Sequence, residues 1–194
     1  MGKKVAKQTA FACNCGKLFG SITARGVQYG THVVCFCRDC RAAQIYFGQP
    51  DPAPEPVDIF QMAPEEIRID GGIEHLAAMR LGPKGMLRWY ASCCNAPLAT
   101  TSNTPKFPFA GFDVKRVSDP DCLGPVTTQG FIPQADGKHK HKRLGYAVAG
   151  IVTRVLKSRL SGSWRDTPFF DQHTGQTIST PVILSKEQRK ALYA

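Results

Sequence analysis

Cys13-Asn14-Cys15-Gly16, then Cys35-Phe36-Cys37-Arg38-Asp39-Cys40, then the adjacent Cys93-Cys94 form the pattern around which this sequence is organised. Of its 8 cysteines, only Cys122 stands outside these clusters. Zinc prefers thiolates placed tetrahedrally at about 2.3 Å, and a short chelating stretch supplies two of them with little extra ordering entropy. Cys13 and Cys15 are two apart, so on an extended chain their side chains leave from one side, and a modest bend converges them. Cys37 and Cys40 have knuckle spacing around Arg38 and Asp39. Isolated cysteines are commonly small buried hydrophobes, which is the reading for Cys122; for the first two clusters metal binding is expected.

A redox dithiol is the other reading of Cys37-Arg38-Asp39-Cys40, because such a motif follows a strand and opens a helix. Strand-like His32-Val33-Val34 precedes it, but Cys35 crowds the site with a third thiol, which weighs against pure redox chemistry.

The chain of 194 residues accommodates one domain with appendages. With 42% apolar, 9% aromatic and 21% charged residues it can build a core. A net charge of +10 favours anionic partners without choosing among them. Met1 to Thr9 is basic, yet no apolar run follows of the kind a secretory signal needs. Ala6 stands where a myristoylation motif on Gly2 requires Ser or Thr, and no stretch reaches the length of a membrane span. A cytoplasmic, reducing location is therefore expected, in which thiols stay free or bind metal.

Cys13 to Arg25 reads as a strand with a glycine turn, and Gly30 to Phe36 as a second strand with the cysteine triplet in the turn after it. Proline at every second position from Pro50 to Pro56 gives a stiff extended loop. Glu66-Ile67-Arg68-Ile69-Asp70 alternates as a half-buried strand does, and Gly71-Gly72 supplies a turn. Ile73 to Arg80 reads as a short helix, and Met86 to Tyr90 as a strand running into Cys93-Cys94.

These motifs in this order resemble the glutathione-dependent formaldehyde-activating enzyme family, over roughly residues 10–115, with residues 116–194 as a C-terminal extension. The resemblance implies a mainly β fold of the β-tent kind with zinc-ribbon-like sites. It also implies a structural zinc held by Cys13, Cys15 and a later Cys-x-x-Cys, and a more labile zinc at Cys35, Cys37 and Cys40. Here the chain departs from the family: aligning Cys94-Asn95 with the family's Cys-Gly puts Ala91 where the first later ligand belongs, with Cys93 as the replacement. Adjacent strand residues point to opposite faces, so Cys93 and Cys94 share one ion only if the chain turns sharply between Tyr90 and Pro97. Three ligands plus a water or another side chain is the alternative.

Three thiolates leave zinc an open position, and an open position separates a reactive site from a closed structural one. On this reading Cys35, Cys37 and Cys40 are the catalytic residues of a carbon-sulfur lyase. The resemblance implies glutathione as thiol, a small aldehyde as its partner and a hemithioacetal as product, the direction being open. Glutathione carries two carboxylates, and Arg38 and Arg41, beside the triplet, are the candidates for contacting them.

Beyond residue 115 lies a basic run, Lys138 to Arg143, followed by Leu144, Val148, Ile151, Val152 and Val155 at helical spacing. Arg154, Lys157 and Arg159 make this a basic amphipathic helix ended by Ser161-Gly162. Its apolar stripe is expected to pack on the β domain; contact with an anionic membrane or a partner is the lesser expectation. Pro168-Phe169-Phe170 reads as an aromatic anchor for the tail. The competing function is a zinc-stabilised binding module with a basic surface for nucleic acid or anionic membrane. No RNA-binding aromatic signature or two-Cys, two-His finger occurs, so no specific nucleic acid is expected and the enzyme reading ranks first.

Overall fold

The computed structural model describes residues 6–194, so expectations placed on Met1 to Val5, including the Gly2 acylation reading, lie outside the described residues. In chain order the strands are β1 (Thr9–Ala12), β2 (Phe19–Ile22), β3 (Thr31–Cys35), β4 (Val57–Met62), β5 (Ile67–Gly71), β6 (Leu76–Arg80), β7 (Leu87–Ala91), β8 (Ala96–Thr101), β9 (Ala110–Asp113), β10 (Thr128–Pro133), β11 (His139–Lys142) and β12 (Val182–Ile183). The helices are α1 (Ala24–Tyr29), α2 (Arg38–Tyr46), α3 (Leu144–Ser161) and α4 (Lys186–Leu192).

The fold is mainly β, as expected. A small antiparallel sheet runs β1-β2-β5, and a nine-stranded sheet runs β11-β10-β3-β4-β9-β8-β7-β6-β12, with β10 parallel to β3 and β12 parallel to β6. Residues beyond 115 thus supply strands to both edges of the larger sheet. Between the sheets, Phe11, Leu18 and Ile22 from the smaller meet Phe60, Met62, Trp89 and Phe112 from the larger in one apolar core. Phe11 and Phe112 have ring centroids 4.8 Å apart, and burying such side chains is worth about 1.5–3 kcal/mol each. The tail is anchored as expected: Phe169 and Phe170 are buried against Trp89 at 5.0 and 6.2 Å.

Three local expectations are corrected. Ile73 to Arg80 is a single 3-10 turn, Ile73–His75, followed by strand β6. Pairing with β7 puts Leu76 and Ala78 in the core, which a helix would not do. The triplet does not sit in a turn: Cys35 ends β3, Cys37 caps α2, and Cys40 lies in its first turn. Finally, α3 forms where expected and stops at Gly162 with φ 79°, but its apolar row is split: Leu144, Val148 and Val152 are exposed, while Ile151 and Val155 are half-buried. Ala147 and Ser158 are the buried positions, because small side chains let the helix settle closely against the sheet. No helix among the described residues is long and apolar enough to cross a membrane.

Candidate metal centres

Strand β1 ends at Ala12 and delivers Cys13 and Cys15 into a tight turn. Gly16 adopts φ +75° there, and the Cys13 amide donates to the Leu18 carbonyl at 2.9 Å. The side chain of Arg116 donates to Asn14 Oδ1, tying the tip of the loop down. On the facing sheet, β7 and β8 are joined by the turn that carries Cys93 and Cys94. Asn95, at φ 54°, and the bond from the Cys94 amide to the Ala91 carbonyl, 3.2 Å, fold that chain sharply. This is the reversal that two adjacent cysteines need if they are to aim at one point. Ala91 itself is fully buried in the core.

The two turns meet. Cys15 Sγ lies 3.3 Å from Cys93 Sγ, Cys13 Sγ is 3.6 Å from Cys15 and 3.8 Å from Cys93, and Cys93 is 4.0 Å from Cys94. All four sulfurs fall within 4.8 Å of one another. Four thiolates at about 2.3 Å from a tetrahedral ion are separated by about 3.8 Å, so the spacing fits an ion at the centre. It is far beyond the roughly 2.05 Å of a disulfide, and all these cysteines are free. Burial opposes ionisation of Cys13, but the Leu18 amide and the neighbouring thiols outweigh it and bring its pKa down to about 6.

The sulfurs of Cys35, Cys37 and Cys40 also lie within 4.8 Å of one another, with Cys40 buried and the other two half-buried. Cys37 Sγ accepts from the Cys40 amide at 3.4 Å, so a cysteine does the work normally given to Ser or Asp at a helix N-cap. The N-terminal end of α2 carries partial positive charge, which favours thiolates there. Cys40 is held well below the ordinary thiol range by hydrogen bonds from Cys35 and Cys37, against burial and with help from Arg88. Sharing those hydrogen bonds pushes Cys35 up. The dithiol is thus part of a three-sulfur cluster.

Around the triplet, Arg41 is committed to Asp51 through two bonds of 2.8 and 2.6 Å, which pin the proline-rich loop. Arg38 stays exposed, its guanidinium 4.6 Å from the centre of the Tyr193 ring, while the Tyr193 hydroxyl donates to Asp39 at 2.7 Å. The cation in contact with the sulfurs is Arg88, whose Nη1 is 3.9 Å from Cys40 Sγ and 2.9 Å from Thr100 Oγ1. Sequence reasoning placed Arg88 on a strand without giving it a role. Its signal was a lone charge between Leu87 and Trp89, both destined for the core. A cavity of about 30 Å³ adjoins Cys40, with Gln44, Arg88 and Asp113 among its walls. Gln44 donates to Asp113 at 2.7 Å, and burial raises the Asp113 carboxyl. Cys122 belongs to neither cluster and packs half-buried against the core.

Residues 5–175 match the family of unknown function DUF6151, and the chain belongs to that family. No curated protein matches it. Among solved structures, a crystal structure of a Rhodobacter sphaeroides protein is similar at 17% identity, covering 62% of this chain and 98% of that one with a TM-score of 0.41.

Proposed function

We propose that this protein binds zinc at two thiolate sites, a closed one of Cys13, Cys15, Cys93 and Cys94 and an open one of Cys35, Cys37 and Cys40. At the open site it would act as a carbon-sulfur lyase on adducts of glutathione, or a similar thiol, with a small aldehyde. One observation carries the reading: three sulfurs converge within 4.8 Å at the start of a helix, and among the described residues no fourth Cys, His, Asp or Glu joins them, so a metal there keeps a position for substrate. Zinc at such a site supplies Lewis acidity that keeps a bound thiol ionised at neutral pH.

The reaction balances without an oxidant. The thiol sulfur adds to the carbonyl carbon, a carbon-sulfur bond forms, and the thiol proton passes to the carbonyl oxygen; the reverse step returns it. Arg88 places positive charge beside the sulfur cluster, and exposed Arg38 offers a guanidinium to a substrate carboxylate. A small cavity lined by Cys40, Arg88 and Asp113 opens beside the triplet and gives the reacting group a place next to the sulfurs.

The test couples metal content to turnover. Wild type should carry two zinc ions per chain and accelerate the exchange between glutathione, formaldehyde and their adduct, followed by NMR. Cys35→Ser and Cys40→Ser should stay folded, keep one zinc and lose the acceleration. Two zincs without acceleration would sink the lyase reading, and unfolding of every triplet variant would make that site structural.

A further inference from the structure

Helix α3 buries Ala147 and Ser158 and leaves four large apolar side chains, Val148, Val152, Leu156 and Leu160, exposed. At 100° per residue, Val148, Val152, Leu156 and Leu160 wind along the face directed away from β3 and β10, with Gly145 and Ala149 between them. Exposure rises from about half at Val148 and Val152 to 56% at Leu156 and 87% at Leu160. A row of large aliphatic side chains left in water is the exception on a protein surface and marks a contact.

The surroundings of that row select the occupant. Of the 18 residues of α3, three are basic (Arg154, Lys157 and Arg159) and none is acidic. Lys140 and Lys142 on β11 extend the positive border. Of the acidic groups beside the helix, Glu66 is paired with Arg25, and Glu65 accepts a hydrogen bond from Ser163 Oγ just past the helix's C-terminus at 2.9 Å. Beneath the helix, Arg154 donates to the Tyr29 carbonyl and to Thr31 Oγ1, both neutral, and has no carboxylate partner among the described residues.

Aromatic rings ring the apolar row, each with a cation over it. Arg143 lies 5.1 Å from the Tyr146 ring and Lys157 lies 5.0 Å from Tyr29, while Arg159 and Arg165 stand 5.4 and 4.3 Å from Trp164. Tyr and Trp settle where hydrocarbon gives way to water, and cations next to them reach anionic headgroups. A second copy of the chain would suit the aliphatic row but would bring two +10 surfaces together, with basic groups facing basic groups.

We propose that α3 is an interfacial docking helix that lies on an anionic lipid bilayer, with Val148, Val152, Leu156 and Leu160 in the acyl boundary and the basic-aromatic border among the headgroups. The helix rests on the surface and does not span it. Juxtamembrane cations near an anionic surface each contribute about 1 kcal/mol.

Full-length protein is mixed with vesicles of phosphatidylcholine, with or without phosphatidylglycerol, and sedimented. Binding should be at least tenfold tighter to the anionic vesicles and should fall as salt rises. Trp89 is fully buried, so a blue shift in tryptophan emission on binding reports Trp164 entering the interface. Leu156→Glu with Leu160→Glu alters exposed positions only, so it should keep the melting temperature while losing the vesicle binding. Equal binding to neutral vesicles, or none to either, overturns the proposal. Failure to bind vesicles together with a dimer that the double variant dissociates would give the face to a second copy instead.

Discussion

His32 is buried with an acceptor on each ring nitrogen, Asp58 Oδ1 at 2.7 Å from Nε2 and the Gly124 carbonyl at 2.6 Å from Nδ1. Neither partner can donate, so both nitrogens must carry protons, and the imidazolium is the form the site accepts. Its pKa is accordingly raised above the ordinary 6.5, by the Asp58 bond first, against burial, and then by Gly124. A group whose folded pKa is raised stabilises fully below its unfolded pKa, and the contribution fades as pH climbs through the folded value. Wild type should therefore exceed His32→Gln in stability most at about pH 6, with the gap closing at alkaline pH in urea melts. A gap independent of pH would refute the charged assignment. Nothing in the sequence marked this pair, because Asp58 and Gly124 lie 26 and 92 residues away and only the sheet joins them. The cysteine ligand candidates were legible because chelation favours short spacings. Arg88 was not, because its partner Cys40 is 48 residues distant.

At the scale of elements, legibility followed what each segment packs against. The Ile67–Gly71 and Leu87–Ala91 strands could be read from their patterns, since each shows one face to the core. Ile73 to Arg80 misled because a run of Leu, Ala and Met suits a helix until a neighbouring strand claims its backbone. In α3 the helical spacing was right and the buried side only partly so: Ile151 and Val155 are half-buried, but the fully buried positions are Ala147 and Ser158, because close approach to the sheet selects small side chains. Gly72 shows how one turn serves another. At φ +76° it leads from β5 to β6, and a Cβ there would come within 2.0 Å of the Lys17 carbonyl, in the loop that carries Cys13 and Cys15. Gly72→Ala should cost more than about 1 kcal/mol and weaken metal retention at the four-cysteine site. An unchanged urea midpoint would show that the loop moves aside freely. The tail anchor predicts a similar test: Phe169→Ala empties a site against Trp89 and should cost about 3–5 kcal/mol, seen as a lower denaturation midpoint.

For the whole molecule, the two cysteine clusters differ in what they join. Cys13 and Cys15 hang from the small sheet and Cys93 and Cys94 from the large one, so their contacts span 78 and 80 residues. An ion there closes a long loop and fastens the sheets across their shared core, removing much entropy from the unfolded chain. Cys35, Cys37 and Cys40 lie on one short stretch already ordered by β3 and α2. An ion among them restricts little that is not already fixed. Graded chelation should therefore proceed in two stages. The first metal leaves the triplet with the melting temperature nearly unchanged, and the second leaves the four-cysteine site with a drop of many degrees and loss of near-ultraviolet dichroism. Cys15→Ser should reproduce the second stage and Cys37→Ser the first. If removing the first metal unfolds the chain, or if the four-cysteine variants melt like wild type, the division between a fastening site and a reacting site is wrong. The order of release depends on topology: sulfur geometry is similar at the two clusters, and only one of them ties the sheets together.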